Sequence, residues 1–302
     1  MARTPKSQST TPQERSRAKP DGKQPAASGA GAIATTAPRG KGVPLRLPVG
    51  GPTAGATGKR VQGGEATTDA VLSARVGGNA EIFPDLMRLH VPFDSRVADI
   101  TWGKGVFWKA VPDHWYEVLP SDIQTGTDSR DLPYDDGSLD AVIFDPPYME
   151  GLFRRESEHM AGGGTHSAFR DHYSDGKATM AGGPKYHDAV LDLYFRTAVE
   201  VARVLRPGGV FVVKCQDEVS ANKQRLTHVE IINYCEQLGF YAKDLFVVVR
   251  QNRPVVSRMK AQVHARKNHS YFLVFEYVGA GKVEKAKSRP ANRGPAPEPP
   301  LD

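Results

Sequence analysis

Cysteine is nearly missing from this chain of 302 residues: Cys215 and Cys235 are the only two. A single possible pair is no disulfide framework, and both thiols lie in or beside apolar runs, as packing residues of a reducing compartment do. Long hydrophobic runs are missing too. None approaches the ~20 apolar residues that a bilayer-spanning helix needs, and the N-terminus lacks the apolar core of a secretion signal. The expectation is a cytoplasmic protein with no membrane partner. Metal-ligand spacing is also wanting: His159, His166, His172 and His187 fall in no recognisable ligand pattern, so no metal is expected.

Aromatic and branched apolar residues are scarce over the first 64 residues, which are mostly Ala, Gly, Pro, Ser, Thr, Gln, Lys and Arg. Such a segment cannot bury enough surface to offset its ordering entropy. Residues 1–73 are therefore expected to be a disordered basic tail, and residues 279–302, with "GPAPEPPLD", a second tail. Charge divides the same way. Residues 1–64 carry 11 Lys and Arg against 2 Asp and Glu, and residues 279–302 carry 5 against 3. Of the chain's 40 and 34, that leaves 24 against 29 for the rest, so the formal +6 belongs to the tails. A basic arm of this kind adds salt-sensitive affinity for a polyanion.

What is present begins near Ala74, where apolar residues take on a period. Ile82, Phe83, Leu86, Met87 and Leu89 have helical spacing; "RVADIT" reads as a strand, and "WGKGVFWKAV" as a Gly-rich turn opening a helix. "YEVLPSDI" is a second strand ending on Asp122, and "AVIFDPPY" a third. A helix over 187–205 is stopped by "RPGG", and a doubly buried strand, "VFVVKCQ", follows. "RLTHVEIINYCEQLG" reads as a helix, then "AKDLFVVVRQ" and "SYFLVFEY" as two strands. Strands alternating with helices at this spacing predict one α/β domain over residues 74–278, with a mostly parallel, doubly wound sheet and an antiparallel last strand.

The stretch that carries chemistry is "DAVIFDPPYMEG". A carboxylate directly after a buried strand is costly unless something requires it. Pro146 and Pro147 then stiffen the backbone, so Asp145 and Tyr148 sit on a rigid arm. In open α/β sheets ligands bind beyond the carboxyl ends of the strands, which is where this arm and the turn around Gly103 and Gly105 would meet.

Taken in order, "VADITWGKGVFW", "PSDIQ", "GTDSRDLP", "VIFDPPY" and "EVARVLRPGGVFVVK" resemble the motifs of S-adenosylmethionine-dependent amino-methyltransferases, most closely the N-4/N-6 DNA methylase group. The resemblance spans about residues 77–278 and implies a Rossmann-like class I methyltransferase fold with S-adenosyl-L-methionine as cofactor. It implies that Asp99, Thr101, Gly103 and Gly105 form the turn around the cofactor's methionine part. Asp122 would accept the ribose hydroxyls and Asp128 the adenine amino group, with Glu117 and with Asp131 or Asp140 as alternatives for these two roles. Phe83 resembles the aromatic that packs on the cofactor, with a plain core role as the alternative.

For catalysis the resemblance implies Asp145, Pro146, Pro147 and Tyr148. An exocyclic amine has its lone pair delocalised into the base. Acceptors on its N–H groups, the Asp145 carboxylate and the Pro146 carbonyl, would free that pair, and Tyr148 would stack on a base turned out of its helix. Residues 149–187 form a long connection carrying Arg154 and Arg155, expected as a substrate lid. Arg253, Arg258, Lys260 and Arg266 are candidate phosphate contacts, so the expected partner is nucleic acid, DNA before RNA. The DPPY form favours adenine. RNA adenine or DNA cytosine methylation are the enzymatic alternatives, and a catalytically silent nucleic-acid-binding protein is the alternative from another class.

Overall fold

The computed structural model describes residues 70–150, 184–251 and 261–288. The expectations for the N-terminal tail, for nearly all of the 149–187 connection and for the end of the chain lie outside these residues. Among the described residues a seven-stranded sheet organises everything. Its strands are β1 (Ala74–Val76), β2 (Ser95–Asp99), β3 (Tyr116–Pro120), β4 (Leu139–Phe144), β5 (Leu205–Cys215), β8 (Phe240–Val249) and β9 (His269–Tyr277). A separate hairpin pairs β6 (Glu218–Ser220) with β7 (Lys223–Arg225). The sheet order is β1-β8-β9-β5-β4-β2-β3. Every neighbouring pair is parallel except those made by β9, which runs antiparallel to both β5 and β8. That is the mostly parallel sheet with one antiparallel insertion that the strand–helix alternation predicted.

Both faces are covered, which is why the central strands read as continuous apolar runs. One face packs Val142, Phe144, Phe211 and Val213 against α2 (His187–Val204) and α3 (Thr227–Leu238). On the other face Val97, Ile143, Val212 and Phe272 pack against α1 (Asn79–His90) and the aromatic pair Phe107 and Trp108. The stripe of α2 through Val190, Leu193, Tyr194, Ala198 and Val201 is buried as its period requires.

Three features depart from the sequence reading. The Gly-rich turn opens only a short 3-10 helix, Val106–Ala110, followed by another at Asp113–Trp115. Pro112 between them lacks the N–H that a continuing helix needs, and α1, which precedes β2, covers this face instead. The β6–β7 hairpin turns through Ala221 and Asn222, both at positive φ, without a glycine to announce it. Residues 279–288, read from composition as tail, carry a short helix, α4 (Val283–Lys287), whose Val283 is buried and whose Lys287 pairs with Glu236 at 2.8 Å.

Strand order reverses at β2, which has β3 on one side and β4 on the other. The crevice of such a sheet opens at this point, beyond the carboxyl ends. Those ends carry Asp99 on β2 and Asp145 just past β4.

Candidate active site

A cavity of about 300 Å³ occupies that crevice, at the lower end of the range for small-molecule sites. Asp99, Thr101, Gly103, Asp122, Asp128, Asp145, Pro146, Pro147 and Tyr148 all line it, so one wall comes from the Gly-rich turn and another from the DPPY arm.

The turn is built around Asp99, which is 4% exposed. One carboxylate oxygen accepts the Thr101 N–H at 3.0 Å and the other the Trp108 indole N–H at 2.8 Å. Burial pushes this carboxyl up to about 7, while the Trp108 and Thr101 donors pull against the rise. Asp99 therefore anchors the turn directly. Gly105 sits at φ +60, and a Cβ there would come within 2.6 Å of the Trp102 ring, so the position is closed to any other residue twice over. Gly103 is favoured there by its φ of +53 alone, since its nearest obstacle is 3.9 Å away.

Asp122 follows β3 and caps the 3-10 turn Ile123–Thr125, rather than ending the strand itself. Its carboxylate accepts the Gly103 N–H at 3.1 Å and the Gln124 N–H at 2.9 Å. A carboxylate has about four lone-pair sites, so capacity remains for a ligand diol. Asp128 is differently placed. Arg130, whose side chain is 6% exposed, contacts both its oxygens at 2.6 to 3.1 Å, and the Arg130 N–H adds a bond at 2.9 Å. Burial raises this carboxyl, yet the Arg130 hydrogen bonds outweigh it and hold it below the usual range. Its acceptor capacity is largely spent on Arg130. The competing acids are elsewhere: Asp140 binds Arg206 at 2.7 Å and the Arg96 N–H at 2.7 Å, and Glu117 faces Arg96 at 3.6 Å.

The two walls are fastened together. The Asp145 N–H donates to Thr101 Oγ1 at 2.6 Å, which ties the arm to the turn. The Tyr148 hydroxyl donates to Asp145 Oδ1 at 2.6 Å, fixing the carboxylate; burial, then the Asp145 charge, holds that phenol well above its ordinary value. Tyr148 is largely buried at 8% exposure.

Phe83 is fully buried and is not among the residues lining the cavity; it packs edge-on against Trp108 and beside Phe107 and Phe272, the placement that the core alternative expects. Arg154, Arg155, Arg253, Arg258 and Lys260 lie outside the described residues, and Arg266 is exposed. Sequence reasoning missed Trp108 as the donor that seats Asp99, Arg130 as the partner of Asp128, and the placement of Arg250 in the cavity wall. Only Arg250 carried a signal, as the first cation of a basic stretch.

A doubly wound sheet that brings a glycine turn, Asp122 and a rigid acidic arm around one cavity defines a class: α/β proteins that bind a ligand beyond the carboxyl ends of their strands. The sequence narrows the class further. Residues 139–292 match the N6/N4 methyltransferase family model, described as DNA methylase, and the chain belongs to this family. Its fold is the Rossmann-like class I methyltransferase fold. Solved structures with likeness to it include a provisionally assigned DNA modification methylase of Thermus thermophilus complexed with S-adenosyl-L-methionine, at 17% identity, 64% of this chain, 62% of that one and a TM-score of 0.32. TrmN from Thermus thermophilus is 15% identical over 66% and 50% of the two chains, TM-score 0.37. The PvuII cytosine-N4-specific DNA methyltransferase is 15% identical over 51% and 49%, TM-score 0.32. The chain thus spans about three fifths of the length of the Thermus methylase. No curated protein matches it. The family assignment rests on the sequence match.

Proposed function

We propose that this chain methylates the exocyclic amino group of a base in DNA, adenine before cytosine, with S-adenosyl-L-methionine as methyl donor. The observation that carries the reading is the 2.6 Å hydrogen bond from the Asp145 N–H to Thr101 Oγ1, which fixes the acidic arm to the glycine turn across one cavity.

The residues present suit that cofactor. Its methionine part would lie along Thr101 to Gly105, where Gly103 lets the backbone come close, and its ribose diol at Asp122. Asp128, committed to Arg130, would offer the adenine amine little, so the Asp128–Arg130 pair serves better as a polar wall of that pocket. Bound there, the cofactor supplies a methyl group on a positively charged sulfur, already activated, so neither a strong base nor a metal is needed.

The protein's own task is to orient the amine. The Asp145 carboxylate and the Pro146 carbonyl would accept hydrogen bonds from its two N–H groups and direct the nitrogen lone pair to the methyl. As the N–C bond forms the S–C bond breaks, S-adenosylhomocysteine leaves, and the surplus N–H proton passes through the acceptors to solvent. The prolines keep these acceptors from relaxing, which is electrostatic preorganisation rather than base catalysis. Tyr148 holds the carboxylate and offers its ring to the base, while Arg250 stands at the rim for a phosphate. Arg154, Arg155, Arg253, Arg258, Lys260 and Arg266 would extend that grip along the strand. The Asp at the head of the DPPY sequence favours adenine.

The test is to incubate the chain with labelled S-adenosylmethionine and either DNA or RNA, digest each, and identify the labelled nucleoside. N6-methyl-2′-deoxyadenosine in the DNA digest is the expected product. Label only in RNA, or none, would overturn the reading.

A further inference from the structure

Lys214 is the most deeply buried lysine among the described residues, at 1% exposure. It stands next to last in β5, and the sheet's register places it beside the DPPY arm. Phe144 pairs with Val213, so the next step along both strands brings Asp145 level with Lys214. The faces agree as well. Ile143 and Val212 belong to the core cluster on the α1 side of the sheet, and alternation puts Asp145 and Lys214 on that same side. The Lys214 Nζ donates to Ser270 Oγ at 2.7 Å and lies 4.0 Å from the centre of the Phe272 ring.

A buried ammonium with a neutral hydroxyl and a ring face for partners is costly unless a negative group stands near. Asp145 is that group. Burial pushes the Lys214 ammonium down to about 8, and the Asp145 charge is the main influence opposing the fall. The surroundings of the pair are charged on several sides. Asp99 acts on Asp145 from β2, Tyr148 from its own arm, and Tyr194 from α2; Cys215 and Arg250 act on Lys214 from β5 and the end of β8.

We propose that Lys214 is a positioning residue for methyl transfer: a fixed cation behind the acidic arm that keeps the Asp145 carboxylate ionised beside Asp99 and aimed at the incoming amine. The inference rests on the methyltransferase reading above. An arm whose acid picks up a proton stops being an acceptor, and two carboxylates in one crevice raise each other's proton affinity. Lys214 offsets that without entering the cavity.

The test compares the full-length wild type with Lys214→Met, which keeps most of the unbranched apolar stem and removes its charge. Three readouts are followed: kcat against pH, the KM for DNA, and the dissociation constant of S-adenosylmethionine by calorimetry. Expected are a kcat lower by about 10-fold at pH 7, an acid limb moved upward by about one pH unit, and cofactor affinity within about twofold of wild type. Superimposable pH profiles of the two proteins would overturn the proposal. Should Lys214→Met fail to fold, Ser270→Ala frees the ammonium from its anchor while keeping its charge. A several-fold fall in kcat with an unmoved acid limb is then expected, and an unchanged kcat overturns the proposal. A wild type that binds the cofactor but labels no nucleic acid would instead overturn the underlying reading, and the proposal with it.

Discussion

Two regions that flank the crevice are held together differently. On the β2–β3 side, carboxylates grip mostly backbone: Asp99 holds the Thr101 N–H beside the Trp108 indole, and Asp122 the Gly103 and Gln124 N–H groups. On the β5–β9 side, side chains grip side chains drawn from distant segments. Lys214 meets Ser270, Asp217 holds His228 at 2.7 Å and Tyr271 at 3.3 Å, and His187 stands between Glu218 at 2.7 Å and Glu230 at 2.6 Å. A backbone-built half should fail when chain geometry is disturbed. A side-chain-built half should answer to charge and pH.

The sharpest way to break this comparison is Gly105→Val. The position has φ +60, and a Cβ would meet the Trp102 ring at 2.6 Å. Strain of about 3 kcal/mol should weaken S-adenosylmethionine binding by about 100-fold, read by calorimetry, while thermal unfolding stays cooperative. Unchanged affinity would mean that the turn does not form the cofactor's seat.

Asp122→Ala is smaller. It removes an acceptor from the Gly103 and Gln124 N–H groups along with the diol contact, and about a 30-fold loss of cofactor affinity is expected, near 2 kcal/mol. Asp122→Asn, which keeps one acceptor, should fall between Ala and wild type.

The other half is sharpened by pH. Burial lowers the His187 imidazole, but its hydrogen bonds to Glu218 and Glu230 outweigh this and raise it above its ordinary 6.5. A histidine with a raised folded value contributes stability that is fully present below 6.5 and lost as pH rises through that folded value. His187→Gln should therefore cost about 2 kcal/mol at pH 6 and less at pH 9, measured by denaturant unfolding. Asp99 titrates with the same sign, with a folded value of about 7 above an ordinary 3.8. The slope that survives in the variant belongs to the other shifted groups, Asp99 and, with the opposite sign above about pH 8, Lys214. A variant as pH-dependent as the wild type would contradict the His187 assignment.

The same contrast explains what could be read from the sequence. The turn and the arm were legible because backbone chemistry is local. Glycines at 103 and 105, an acid after each strand and two prolines after Asp145 lie within a few residues of the groups they serve. The sheet was legible because buried strands are continuous apolar runs. Phe83 stayed open between two roles because a helical stripe shows which face is buried, not which neighbour it meets. The β6–β7 hairpin and β1 escaped because three-residue strands carry no period. Lys214 and His187 escaped for a further reason: their roles arise from register and from partners 31 to 56 residues away.

The account turns on Asp145, and Asp145→Ala tests it most directly. In single-turnover reactions with DNA and labelled S-adenosylmethionine, the account predicts methyl transfer at least about 10³-fold slower than wild type, with cofactor affinity changed by less than about threefold. Transfer within tenfold of wild type would contradict it.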